Sequence, residues 1–327
     1  MAEGAGRVPG IERSAGATGR FCSEVECDKL RGMKRRVFLQ AAAAAPLLAQ
    51  RNDHYGPVLQ AGVYVWTQHY GRLNQKAQEH IPEICAGFAK AGYRDVEMMS
   101  LFFAPEVEET TYGALQGNGL KCSVAYNGGP MHTAEGARAT VAATVELAQR
   151  LVRRLALKGI SINPNPVGRA KTDEELKIQA EGLNQLGWSL EREGVGLYLH
   201  QHAPEMADGA REWRAMLAQT ERRYVKVCLD THWVLRGKQD VMTLLKEAGP
   251  RLGSLHLRNS VDGVWSEDFG DGDIDYRAVA GYLRSIGFNG YLSVELAWDK
   301  ETKITRTLEE NLRRSREYTE KVFGVKA

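Results

Sequence analysis

The chain has 327 residues, 43% of them hydrophobic and 26% charged, with a formal net charge of +2. That is the composition of a folded globular protein, and its charge balance is too near neutral to give the basic field that nucleic-acid binding requires. Of the five cysteines, Cys22, Cys27, Cys85, Cys122 and Cys228, the three beyond residue 50 have no close spacing, which excludes a disulfide framework or a zinc-knuckle pattern and leaves them as small buried apolar residues.

Residues 1–32 are rich in Gly, Ala and Arg with no apolar period, and they read as a disordered tail or a mis-assigned start. Met33-Lys-Arg-Arg-Val-Phe-Leu, then Ala41 to Ala45 and Pro46-Leu-Leu-Ala-Gln50, gives a basic stretch, a short apolar stretch and a small-residue end. That order marks a secretory signal too short to span a membrane. The Arg35-Arg36 pair before Val-Phe-Leu resembles the twin-arginine type, with Lys34 where Ser or Thr is more usual. The alternative is an ordinary basic-then-apolar helix. The expectation is a start at Met33, a signal over 33–50, a periplasmic or otherwise extracytoplasmic protein without stable membrane insertion after cleavage, and a catalytic domain over 55–327.

From about residue 58 short β-rich runs alternate with helical patterns. Val63 to Trp66 predicts a strand, and Ile81 to Ala91 a helix closed by Gly92. Val96 to Met99 is a short strand, and Cys122 to Tyr126 another, ended by Asn127-Gly-Gly-Pro130. A helix over Thr133 to Leu157 carries an apolar stripe at Val141, Leu147, Leu151 and Leu155. Gly159 to Ile162 is a strand stopped by Asn163-Pro-Asn-Pro166. Thr172-Asp-Glu-Glu175 is a capping box for a helix with Leu176, Ala180, Leu183 and Leu190 on one face. Strands follow at Val195 to Leu199, Val225 to Leu229, Leu252 to Leu255 and Tyr291 to Val294, and a last helix at Ile304 to Phe323.

Eight strands alternating with helices mean parallel βαβ units, and their number and spacing fit a single-domain α/β protein, the (β/α)8 TIM barrel. An open doubly wound sheet is the alternative. It calls for a glycine-rich turn after the first strand, where this chain has Thr67-Gln-His-Tyr70.

The last four strands end at His200, Asp230, His256 and Glu295. Strand carboxyl ends converge on one mouth of a barrel, so four such residues become neighbours. Singly, each could begin a solvated loop; in succession they point to a metal site. Two imidazoles and two carboxylates suit one divalent ion, Mn, Co, Zn or Fe before Mg. By strand alternation His202, His232 and Arg258, each two positions beyond a ligand, face the same side and become candidate substrate contacts. Trp66, Trp233, Trp265 and Trp298 are candidates for stacking on a sugar face or for simple packing. Glu97 is read as lining the mouth or pairing with an arginine. Asp271-Gly-Asp-Ile-Asp275 suggests a calcium loop, but the twelfth position is Tyr282 rather than Glu, which leaves a loop supporting the mouth.

Several segments resemble the xylose-isomerase-like TIM barrels, a family of sugar epimerases, hydroxypyruvate isomerase, inosose dehydratase and endonuclease IV. They are Gly92-Tyr-Arg-Asp-Val-Glu97, Leu199-His-Gln-His-Ala-Pro-Glu205, Val227-Cys-Leu-Asp-Thr-His-Trp233 with Gly237, Leu255-His-Leu-Arg258, and Gly270-Asp-Gly-Asp-Ile-Asp275 with Gly287 to Glu295. The resemblance covers roughly residues 58–325. It implies one divalent metal held by Glu, Asp, His and Glu. Asp230, His256 and Glu295 match that set, and the first Glu falls on His200. Glu295 is then the base that removes a proton α to a carbonyl, through an enediolate, with His200, His202 or Glu97 as the second acid or base. The implied activity is a sugar isomerase or epimerase. The alternatives are a lyase on 3-keto-glycosides or a dehydratase, an endonuclease, which the charge disfavours, and a non-catalytic sugar-binding barrel. The expected partner is a small-molecule sugar or glycoside, and an oligomer stays open.

Overall fold

The computed structural model describes residues 56–327. The signal over 33–50 and the segment 1–32 lie outside the described residues. Among the described residues no helix is long and apolar enough to cross a membrane.

Eight parallel strands close a barrel in sequence order. They are β1 (Val58–Gly62), β2 (Asp95–Met99), β3 (Lys121–Gly129), β4 (Gly159–Pro164), β5 (Gly196–Leu199), β6 (Val225–Asp230), β7 (Leu252–Leu257) and β8 (Tyr291–Val294). The helices between and after them are α1 (Tyr64–Arg72), α2 (Ile81–Lys90), α3 (Glu108–Gly117), α4 (Ala134–Leu155), α5 (Asp173–Arg192), α6 (Ala207–Gln219), α7 (Thr231–Arg236), α8 (Val241–Ala248), α9 (Tyr276–Ser285) and α10 (Leu308–Phe323). A two-stranded hairpin, Ser260–Val261 with Val264–Trp265, follows β7.

Local chemistry explains the boundaries. The capping box is present: Thr172 Oγ1 accepts from Glu175 N at 3.2 Å and Glu175 Oε2 from Thr172 N at 2.8 Å. Helix α4 stops at Leu155 because Ala156 turns left-handed at φ 53°. Helix α10 starts at Leu308, later than the apolar pattern suggests, because Thr307 caps it. The main correction is at the first strand. Val63 to Trp66 is not a strand: β1 ends at Gly62, and Tyr64 already opens α1. Trp66 and Tyr70, four residues apart, are buried on one face of that helix. Their packing overrides the β propensity of Val-Tyr-Val.

Along each strand alternate residues face the barrel interior. Val124, Tyr198 and Cys228 pack inside the barrel with Tyr291 against them, a cluster separate from the main core between barrel and helices. Gly159 and Gly253 make room for the Tyr198 ring, since a Cβ on either would overlap it, at 2.2 and 2.5 Å. That plug closes one end of the interior. Two residues further along each strand come His200, Tyr126 and Asp230, at the other end. Cys85, Cys122 and Cys228 are buried and free, as the spacing implied.

Candidate active site

His200, Asp230, His256 and Glu295 each offer a ligand atom, and these atoms lie within 4.8 Å of one another. Strand order produces this: β5, β6, β7 and β8 are successive neighbours, with Asp230 opposite His256 across β6 and β7.

Each member is oriented by a second residue. Asn163 Nδ2 donates to Pro164 O at 3.2 Å, which leaves Asn163 Oδ1 to accept from His200 Nδ1 at 3.3 Å. The proton of His200 is therefore on Nδ1, and its bare Nε2 faces Asp230 Oδ2 at 3.5 Å. His256 Nε2 donates to Glu97 Oε2 at 2.9 Å, turning Nδ1 toward Glu295 Oε2 at 3.2 Å. Asp230 caps α7, its Oδ1 accepting from His232 N at 3.0 Å and Trp233 N at 2.9 Å. Its Oδ2 accepts from Arg258 at 2.7 Å, while the same guanidinium donates to Glu295 Oε2 at 2.6 Å. Arg258 packs against both Trp233 and Trp265, 5.2 and 5.1 Å from the ring centroids.

The set fits a divalent cation. His200 Nε2 is buried with no hydrogen-bond partner, His256 Nδ1 faces Glu295 Oε2 at 3.2 Å, and both point at carboxylate oxygens. Buried polar nitrogens left bare cost free energy unless something meets them. Mixed nitrogen and oxygen donors suit a first-row transition ion.

The electrostatics agree. Burial pushes the Asp230 and Glu295 carboxyls up, but Arg258 beside Asp230 and His256 beside Glu295 outweigh it and hold both well below the usual carboxylate range. Burial lowers His256, whereas Cys228, Glu295 and Glu97 around it raise it well above the ordinary imidazole value. The carboxylates carry that effect, because burial keeps the Cys228 thiol neutral. His202 is held down to about 3 by burial and the neighbouring His200, and His232 to about 4 by burial and Arg258. Both are neutral imidazoles near pH 7.

The remaining sequence-predicted residues fall in three places. His202 is in the site: its ring is 4.8 Å from His200 and 5.3 Å from Trp233. His232 lies one layer out, bonded through Nε2 to Ser260 Oγ at 2.9 Å and edge-on to Trp265. Glu97 is buried, and its Oε2 accepts from Gln60, Ser293 and His256. The structure corrects its role: it orients His256 instead of facing substrate as an acid or base. Trp66 is corrected too. It packs under α2, stacked on Tyr70 and edge-on to Phe88, with Gly87 making room for its ring, so it is not a substrate contact. Asp273 accepts from Ser260 Oγ and two backbone amides, and Asp275 caps α9; the loop 270–275 supports the hairpin.

Two residues escaped the sequence reading. Asn163 fixes the His200 ring, and Tyr126 lies edge-on to it at 5.3 Å and 6.4 Å from His256. Burial and the Glu295 charge keep the Tyr126 hydroxyl protonated. Strand alternation from Val124 and Ser161 is the signal that finds both.

Residues 86–322 match the family described as Xylose isomerase-like TIM barrel. The chain belongs to that family. Its barrel superposes on D-allulose 3-epimerase from Methylomonas sp., solved with D-allulose, at a TM-score of 0.64 and 17% identity, covering 82% of this chain and 97% of that one. A sugar phosphate isomerase/epimerase from Parabacteroides distasonis gives a TM-score of 0.62 at 19% identity, over 80% and 93%. At such identities the likeness is one of fold. Among curated relatives, inosose dehydratase of Salmonella typhimurium is 27% identical over 147 residues, 39% of this chain and 48% of that protein. The Clostridium perfringens enzyme of the same name is 28% identical over 145 residues, 39% and 49%. The chain spans about half the length of the curated relatives it matches.

Proposed function

We propose that this protein is a divalent-metal-dependent lyase of the dehydratase type, acting on a cyclic sugar or polyol ketone, with His200, Asp230, His256 and Glu295 holding the metal. The observation that carries this reading is the count of carboxylates free to act. Among the described residues Glu295 is the one carboxylate that both faces the candidate metal position and has a partly exposed side chain. Glu97 is turned under His256, and His200 stands where two-carboxylate epimerases would place a second one. One base suffices for elimination, whereas two-base epimerisation needs a partner across the substrate.

A bound divalent cation would supply Lewis acidity to the substrate carbonyl and the adjacent hydroxyl. Glu295, pinned by Arg258, takes the proton α to the carbonyl. Arg258, always charged, balances the negative charge that develops beside Glu295. His202 and Trp233 form a wall with one polar and one aromatic member, suited to a sugar ring. Loss of the β-oxygen substituent then gives water from a polyol ketone or an alcohol from a 3-keto-glycoside. The curated relatives named inosose dehydratase favour this fate.

A second reading is the isomerase or epimerase, favoured by the epimerases among the superposed structures and by His200 and His202 as an acid or base pair. Incubation of the metal-loaded protein with inosose, 3-keto-glucosides and ketohexoses in deuterated water separates the two. Elimination releases water or aglycone and leaves an unsaturated ketone. Epimerisation leaves the carbon skeleton substituted and labelled at one carbon. The absence of label and of product with all three substrate classes would sink both readings.

The same proposal places the protein outside the cytoplasm, on the basic-then-apolar segment 33–50. Fractionation of cells expressing the full chain, with Arg35→Lys and Arg36→Lys together as the control, tests it.

A further inference from the structure

Elimination from a poor leaving group requires a donor at the departing oxygen as well as a base at the α-carbon. Glu295 is the base, and Arg258 is committed to Glu295 and Asp230. Asn163 and Glu97 are spent on orienting the two histidines. Tyr126, like the His202 ring, is a polar side chain at this mouth without a hydrogen-bond partner among the described residues. It projects from β3, three strands round the barrel from β8 and Glu295. Its ring stands edge-on against His200 at 84° and is tilted 36° to His256, so it packs against two candidate metal ligands. It is partly exposed, and among the described residues no group bonds its hydroxyl.

Resting on the dehydratase reading, we propose that Tyr126 is a catalytic residue whose hydroxyl donates a hydrogen bond to the β-oxygen as it leaves. The step balances without a further reagent. The Cα–H bond breaks with its proton on Glu295 and its electron pair rests in the enolate, from which it becomes the new C=C bond as the leaving group departs. The Cβ–O bond breaks with its pair on oxygen, which departs stabilised by the Tyr126 hydrogen bond. The proton held by Glu295 then passes to that oxygen, giving water or alcohol and restoring the carboxylate. A donor aimed at developing charge in a water-poor site is worth about 10²–10³-fold in rate.

The test compares wild type and Tyr126→Phe, both metal-loaded, on 3-keto-glucosides carrying an alkyl or a nitrophenyl aglycone, with α-deuterium exchange followed in parallel. The phenyl ring keeps the packing on His200, and melting temperature and metal content confirm it. The expected result is a loss of about 10²-fold or more for the alkyl aglycone, a much smaller loss for nitrophenyl, whose oxygen departs without help, and retained α-exchange. Equal losses with both aglycones, a parallel loss of exchange, or no loss would overturn the assignment. A wild type that neither exchanges nor eliminates overturns the dehydratase reading itself, and the role of Tyr126 with it.

Discussion

Replacing Glu97 by Gln separates an orienting carboxylate from a catalytic one. Glu97 Oε2 accepts from Gln60 Nε2 at 3.1 Å, His256 Nε2 at 2.9 Å and Ser293 Oγ at 2.7 Å, all buried. Glutamine keeps the shape but removes the charge. Each charge-assisted bond becomes a neutral one, a loss of about 1 kcal/mol apiece. The loss is partly offset because a buried amide costs less to desolvate than a carboxylate. The imidazole of His256 also becomes a weaker donor to a cation once Glu97 no longer polarises it. Loss of such a partner typically weakens metal binding about 10–100-fold, roughly 1.4–2.7 kcal/mol. Competition titration with Mn or Co against a chelator, beside a melting curve, measures both effects. The expected Glu97→Gln protein binds metal in that weaker range, and its turnover recovers largely at saturating metal. Unchanged metal affinity with turnover lost even at saturation would refute the orienting role and return Glu97 to the reacting atoms.

Three further outcomes follow from the same geometry. Asp230→Asn keeps an oxygen to cap α7 but removes the charge at Oδ2, so elemental analysis should fall from about one metal per chain to none while the helical circular dichroism persists. Metal binding should release about one proton, because His256 is protonated above the ordinary imidazole range and must give up its Nδ1 proton to bind. Below that raised pKa the apparent affinity then drops about tenfold per pH unit as pH falls, and calorimetry in buffers of different ionisation enthalpy counts the proton. Gly62→Ala places a Cβ 3.0 Å from Glu295 Cγ, a displacement of a few tenths of an ångström at the base; turnover should fall about tenfold or more while metal content stays constant.

Much of this candidate site is legible in the sequence because its four candidate ligands sit at the ends of apolar runs and belong to residue types that seldom end strands in succession by chance. What the sequence conceals has specific causes. Strand β1 is hidden because its interior positions are Gln60, which must bond Glu97, and Gly62, which must clear Glu295; neither looks like a strand residue. The neighbouring Val63 to Trp66 run supplies a decoy. Trp66 reads as a sugar platform only if that run is a strand; on a helix it points into the packing with Phe88. The role of Glu97 depends on a contact across the barrel, from β2 to His256 on β7, with β1 and β8 between them. No spacing rule reaches that pairing. Tyr126 and Asn163 lie on the right side of their strands, yet neither carries a charge or an imidazole that would set it apart from an ordinary strand-end residue.

The charges of the site, taken together, argue for its occupant. Glu97, Asp230 and Glu295 bring three negative charges, and Arg258 one positive, leaving 3 − 1 = 2 uncompensated negative charges in a space where Asp230 is fully buried and Glu97 nearly so. A buried charge without a counter-charge is costly enough that the group changes its protonation instead. Protonation of His256 does this in part, covering one of the two, and accounts for its raised pKa. A doubly charged cation covers both with every imidazole neutral, and neutrality is what His200 and His256 need in order to offer Nε2 and Nδ1 as ligands. A monovalent cation would leave one negative charge over, and a trivalent one would leave an excess positive charge. The residues around Glu295 therefore fit a ligand of charge +2 before any particular identity, and they would link its binding to one proton of His256.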